Sequence, residues 1–180
     1  MDILTTTLLL LVFLAGAVIT DLRARLIPNA LVLAGTLCGV LLAGLHPQGI
    51  SLLSSLGGLA LGLAIFLPLY LLRAMGAGDV KLMAMTGAFL GASAVAEAAL
   101  WVLLTGGALA LVFALRRSVA RRMAANLREM LFSAAASVQL RTLPDFSTGP
   151  QTAARLPYAV AIALGVAAFL LARHLGFGLI

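Results

Sequence analysis

The sequence of 180 residues is 63% hydrophobic and 10% charged, whereas a soluble domain has roughly 25% charged residues. This composition excludes a soluble globular protein, and the high hydrophobicity also excludes a disordered chain. The net charge of +6 is spread over the connections between apolar stretches. That distribution is typical of a membrane protein rather than of a nucleic-acid-binding face.

Six apolar stretches are candidates for membrane-spanning helices, which need about 20 residues to cross the hydrocarbon core. In chain order they are residues 3–20, 30–45, 50–72, 80–92, 93–115 and 156–172. The second and fourth are short for a full crossing, and short segments often border a functional site rather than lipid. We therefore predict an all-α, polytopic membrane protein with about six transmembrane helices, forming a single domain over residues 1–180.

The basic residues predict the orientation of these helices. Eleven of the twelve lysines and arginines lie in or beside the connections after the first, third and fifth stretches, and only Arg173 follows the sixth. Because basic connections stay in the cytoplasm, we expect a multi-pass protein with both termini outside. Asp2 stands where a cleaved signal peptide would carry basic residues, so the first stretch is predicted to be an uncleaved span.

The connection 116–155 contains apolar residues at helical spacing beside an arginine-rich face. They are Val119, Met123, Leu127, Met130, Leu131, Ala134 and Val138. This pattern predicts a cytoplasmic amphipathic helix between the fifth and sixth spans, lying on the inner surface of the bilayer. A solvated basic linker is the alternative.

Two of the six acidic residues are predicted to lie at the same depth. Asp21 follows the first stretch and Asp79 precedes the fourth, so the topology places both at the cytoplasmic boundary although 58 residues separate them. Two carboxylates that cannot both ionise can form an aspartic dyad, in which one activates water and the protonated one polarises the scissile carbonyl. The structural alternatives are a solvated boundary residue for Asp21 and a plain helix N-cap for Asp79. Glu97 is expected near the outer surface, at headgroup level.

The residues around the two aspartates strengthen the catalytic interpretation. Gly76 and Gly78 remove side chains next to Asp79, so that a substrate backbone or another helix can approach closely. After Asp21, Pro28 and Asn29 mark the start of the second helix.

These motifs resemble those of the type IV prepilin peptidases, polytopic aspartic proteases of bacterial membranes. The family has an aspartate shortly before Ile-Pro-Asn, and a Gly-x-Gly-Asp followed by x-Lys-Leu. The matching residues here are Asp21 with Ile27-Pro28-Asn29, Gly76-Ala77-Gly78-Asp79 with Lys81-Leu82, and a later Leu156-Pro157-Tyr158-Ala159. The resemblance extends over essentially the whole chain.

The resemblance implies an endopeptidase that removes the short basic leader of pilin or pseudopilin precursors, as in pilus assembly and type II secretion. It would work at the cytoplasmic face of the bacterial inner membrane, with Asp21 and Asp79 as catalytic residues. The bifunctional members carry paired CxxC motifs that bind zinc, whereas this chain has a single cysteine, Cys38. We therefore expect the compact peptidase-only branch, like the enzymes of Flp/Tad pili, without methyltransferase activity and without a metal or cofactor.

Several roles stay open at the level of the sequence. Lys81 is either a functional cation or a basic anchor at the membrane boundary. As a functional cation it would hold one aspartate ionised or bind a carboxylate of the substrate. Asn29 is either a helix cap or a substrate contact. The alternative function for the whole chain is a small transporter or an assembly subunit in which Asp21 and Asp79 form a proton or ion site. The oligomeric state is not predicted.

Overall fold

The computed structural model describes residues 3–45, 50–72, 74–115 and 158–176, and this part of the chain contains six helices. They are α1 (Ile3–Ala24), α2 (Asn29–Leu45), α3 (Leu52–Leu71), α4 (Ala77–Leu90), α5 (Ala92–Leu115) and α6 (Tyr158–His174). Each helix overlaps one of the six apolar stretches, so the prediction of an all-α protein is confirmed. The predicted amphipathic helix in 116–155 lies outside the described residues.

Three of these helices are long and apolar enough to cross a membrane: α1, α3 and α5. The shorter α2 and α6 are also apolar. One face of α2 is exposed and apolar, since Leu33, Leu37 and Leu41 are 61%, 53% and 60% exposed. Such a stripe is unfavourable in water but stable against lipid. Six crossings, as distinct from membrane embedding, stay a prediction.

The chain divides into two compact units. The first consists of Met1–Gly106 together with Pro157–Ile180, and the second is Gly107–Leu156. Within the second unit the described residues, 107–115, form the C-terminal part of α5. All the residues of the site discussed below belong to the first unit. The prediction of a single domain stays a prediction.

In the first unit, α4 is the central helix. Ten of its 14 residues are buried, and it packs against α1, α2, α3 and α6. A helix that is apolar on all sides is expected in such an interior position. The fourth apolar stretch is therefore surrounded by protein over most of its length. This enclosure fixes the direction in which its first turn, with Asp79, points.

Small residues let α3 approach the backbone of α4. Ser55, Gly58 and Gly62 lie on one buried face of α3. A Cβ placed on Gly58 would lie 2.1 Å from the carbonyl oxygen of Gly87, so the two helices are in backbone contact there. The Ser55 Oγ hydroxyl also donates to the carbonyl of Ala88 at 2.7 Å. Close packing through small residues and interhelical hydrogen bonds is how helices associate in membranes.

The helix ends near the site are also defined by local chemistry. After α1, Arg25 adopts a positive φ of 51°, and its N–H donates to the carbonyl of Asp21 at 2.8 Å. This left-handed residue ends the helix and turns the chain. The Pro28 carbonyl accepts from the N–H groups of Leu31 and Val32, so α2 begins at Asn29 as predicted.

Glu97, which is expected at headgroup level, is enclosed by the protein. Its side chain is 5% exposed and lies in the second turn of α5, near the C-terminal end of α4. Its side chain is therefore shielded from the surroundings of the protein, and its depth in the membrane stays a prediction. Asp79 lies at the other end of α4, in the first turn.

Candidate active site

An open cleft of about 310 Å³ contains both predicted catalytic aspartates in its wall. It lies where the connection from α1 to α2 meets the start of α4. The lining residues are Asp21, Arg25, Leu26, Ile27, Asn29, Gly76, Ala77, Gly78 and Asp79. The fold thus brings two motifs that are far apart in the sequence to one surface.

Asp79 is the third residue of α4 and is 9% exposed. Its Oδ2 accepts a hydrogen bond from the Gly76 N–H at 3.0 Å, and its own N–H donates to the Gly76 carbonyl at 3.1 Å. Gly76, and not Asp79, is the N-cap of the helix, so the alternative of an Asp79 N-cap is wrong in position. The carboxylate still satisfies a free donor at the helix start, as acidic residues in the first turn commonly do.

Asp79 precedes the apolar stretch 80–92 and lines the open cleft. Burial raises the pKa of its carboxyl from 3.8 to about 6; the hydrogen bond from Gly76 lowers it and the negative charge of Asp21 raises it further. The two carboxylates therefore act on each other electrostatically. A raised pKa in one of the two carboxyl groups is the property that an aspartic dyad needs.

Asp21 lies in the last full turn of α1 and is half-buried. Its Oδ2 accepts a hydrogen bond of 3.4 Å from the N–H of Ala159, in the first turn of α6. The neighbouring Tyr158 is close enough to Asp79 for the carboxylate charge to act on its phenol. The sequence analysis noted Pro157-Tyr158-Ala159 but did not count it among the site residues. The hydrogen bond from Ala159 and the proximity of Tyr158 place the start of α6 beside the two aspartates.

The two glycines of the motif have different neighbours. A Cβ on Gly78 would lie 3.2 Å from the Cβ of Ile27, and one on Gly76 would lie 3.2 Å from Oδ2 of Asp79. Glycine at position 78 therefore lets the first turn of α4 pack closely on the α1–α2 connection. Glycine at position 76 keeps the Asp79 carboxylate uncrowded.

Lys81 and Asn29 contact each other. Lys81 Nζ donates to Asn29 Oδ1 at 3.0 Å, and both side chains are exposed. This contact joins the N-terminal parts of α4 and α2 beside the cleft, a pairing that the sequence analysis did not foresee. Lys81 and Pro28 are outside the nine residues that line this cleft. Pro28 instead stabilises the start of α2, where its carbonyl accepts hydrogen bonds from Leu31 and Val32.

The model of the type IV leader peptidase family matches residues 8–115, which is more than half of the chain. The chain belongs to this family. The match includes both aspartates and every residue that lines the cleft, whereas α6 lies outside it. No curated protein and no solved structure matches the chain. Family membership makes the chain a peptidase and accords with its apolar helices.

The groups that line the cleft determine which chemistry it can support. Within the described ranges, no group of three His, Cys, Asp or Glu side chains is placed to hold a metal ion. What the cleft presents is a pair of carboxylates, one buried and one half-exposed, next to backbone N–H donors. Such a pair can hold one proton and bind a water molecule between the acids and a peptide carbonyl.

Proposed function

We propose that this chain is an aspartic endopeptidase that cleaves the leader from pilin-like precursors, with Asp21 and Asp79 as its catalytic dyad. The observation that carries the proposal is their common cleft: two aspartates of separate family motifs, 58 positions apart, line one open surface. The family match over both motifs supports the same conclusion. The electrostatic effect of Asp21 on Asp79 supports a shared proton.

The substrate class follows from the family. Type IV leader peptidases act on pilin or pseudopilin precursors, and cleavage is proposed after a glycine that precedes the apolar helix of the precursor. Because the carbonyls of a helix are already hydrogen-bonded, the substrate must present extended backbone to the dyad. Ala77 and Gly78 on the cleft wall leave room for that backbone. Leu26 is exposed at the rim and offers an apolar contact for the adjoining helix.

The proposed setting is the bacterial inner membrane, with the chain crossing it several times and the cleft at the cytoplasmic boundary. The three long apolar helices and the apolar α2 and α6 support membrane embedding. The exposed side chains of Arg23, Arg25 and Lys81 near the cleft agree with a cytoplasmic position, since basic residues are retained on that side.

Substitution of the aspartates tests the proposal. Asp21→Asn and Asp79→Asn should each lower cleavage of a co-expressed precursor by at least about 100-fold, the usual contribution of an acid or base. Asparagine keeps the size of the side chain but can neither take a proton from water nor share one. The double variant should be no worse than either single variant, because the two groups act as a unit. Gel shift and product mass measure the cleavage.

The matched control is Glu97→Gln. It changes another buried acid, which lies in α5, the helix that follows the C-terminal end of α4, whereas Asp79 lies at the N-terminal end of α4. It should retain substantial activity at unchanged membrane abundance. Near-normal cleavage by Asp79→Asn would remove the aspartic-protease mechanism and favour the alternative of a proton or ion site.

A further inference from the structure

The start of α6 donates a hydrogen bond to one aspartate of the proposed dyad and lies near the other, although it is outside the family match over residues 8–115. The N–H of Ala159 donates to Asp21 Oδ2, and Tyr158 lies within electrostatic range of Asp79. We infer that the first turn of α6 is part of the catalytic site and positions Asp21 as the general base, with Asp79 as the proton donor. This inference rests on the proposed function, which leaves the two roles unassigned.

Asp79 has the environment of the proton donor. Its side chain is 9% exposed, and removal from water disfavours a charged carboxylate more than any single hydrogen bond offsets. The Gly76 N–H donates to Oδ2, so Oδ2 acts as the acceptor oxygen of the acid and Oδ1 can carry the proton. The raised pKa of about 6 has the same cause, with burial as its largest contribution.

Asp21 has the environment of the base. It is half-exposed on the cleft wall, where water can reach it. The Ala159 N–H stabilises a charged carboxylate more than a neutral one, and the positive end of α6 favours a negative charge there. The α1 carbonyls near Asp21 act in the opposite sense, because Asp21 lies at the C-terminal end of that helix.

The other charged and titratable groups around the pair are consistent with this assignment. Arg25 lines the same cleft, and its positive charge favours a carboxylate on this side. Arg23 is exposed on the last turn of α1. Lys81 of α4 forms a hydrogen bond with Asn29, and Tyr158 of α6 is near enough to Asp79 for the carboxylate charge to act on its phenol.

The reaction then balances with one water and no other reactant. The Asp21 carboxylate takes a proton from water as the water oxygen attacks the peptide carbonyl, and Asp79 gives its proton to the carbonyl oxygen. The resulting gem-diol returns one hydroxyl proton to Asp79 while Asp21 protonates the amide nitrogen and the C–N bond breaks. The products are a new carboxyl terminus and a new amino terminus, with both aspartates restored.

The test uses two variants that act on different limbs of the pH profile of kcat/KM. Ala159→Pro removes the donor to Asp21, so the low-pH limb should move up by roughly 0.5–1 pH unit, the scale of one ordinary hydrogen bond. Val160→Pro is the matched control, because its N–H is also in the first turn, where proline breaks no helical hydrogen bond. It should leave that limb in place.

The second variant, Gly76→Ala, places a Cβ 3.2 Å from Asp79 Oδ2. It weakens the hydrogen bond from the Gly76 N–H and excludes water, and both changes disfavour the charged form of Asp79. The high-pH limb, which reports ionisation of the proton donor, should therefore move up. The low-pH limb, which reports protonation of the base, should stay. An unchanged low-pH limb in Ala159→Pro, or a shift of the low-pH limb in Gly76→Ala, would overturn the assignment of roles. If Ala159→Pro does not accumulate, the limb that Gly76→Ala moves still decides which aspartate is the proton donor. Cleavage retained by Asp21→Asn and Asp79→Asn would instead refute the proposed function.

Discussion

The contact between α3 and α4 positions Asp79, and a single methyl group should disturb it. In Gly58→Ala the new Cβ would lie 2.1 Å from the Gly87 carbonyl oxygen and 2.7 Å from the carbonyl carbon of Gly91. Both are backbone atoms, so the helices must separate by about 1 Å to reach van der Waals distance. Overpacking of this kind costs about 1–3 kcal/mol, and alanine recovers at most about 1 kcal/mol through its helix propensity.

We therefore expect Gly58→Ala to unfold at a lower temperature in detergent and to lose cleavage activity in parallel. Separation would also stretch the Ser55–Ala88 hydrogen bond of 2.7 Å, which adds to the loss. The control is Gly107→Ala, a glycine inside α5 whose added Cβ would meet no atom within 4 Å; it should be neutral or stabilising. A Gly58→Ala protein as stable and active as Gly107→Ala would refute the close helix contact and the central position of α4.

Two further predictions concern the contact beside the cleft and the orientation of the chain. Lys81→Ala and Asn29→Ala should lower activity by similar factors and the double variant by no more than either, since each change breaks the same hydrogen bond; additive losses would separate the two residues. In variants without Cys38, a cysteine at Pro47 should react with an outside-only reagent and one at Ala120 should not. The reverse labelling pattern would invert the proposed topology.

The helices were predictable because each requires a run of apolar residues, and the Pro28-Asn29 pair marked the start of α2 correctly. The central, buried position of α4 was not predictable from the sequence. An apolar stretch such as 80–92 has the same composition whether it faces lipid or protein. Its burial depends on Gly58 and Gly62 of α3 and on Gly35 and Gly39 of α2, which admit its backbone and side chains. The partner of each glycine face cannot be read from a single sequence.

At the site, the acidic side chains were predictable from the sequence and their backbone partners were not. Asp21 and Asp79 were predicted together because two acids at one depth are rare in an apolar chain and stand in recognisable motifs. Their hydrogen-bond donors are the N–H groups of Ala159 and Gly76, which every residue except proline possesses, so no residue type indicates them. Burial of Asp79 beside α6 likewise depends on helices that meet only in the folded chain. What distinguishes the two carboxylates chemically therefore arises from the packing of α1, α4 and α6, and not from the motifs that contain them.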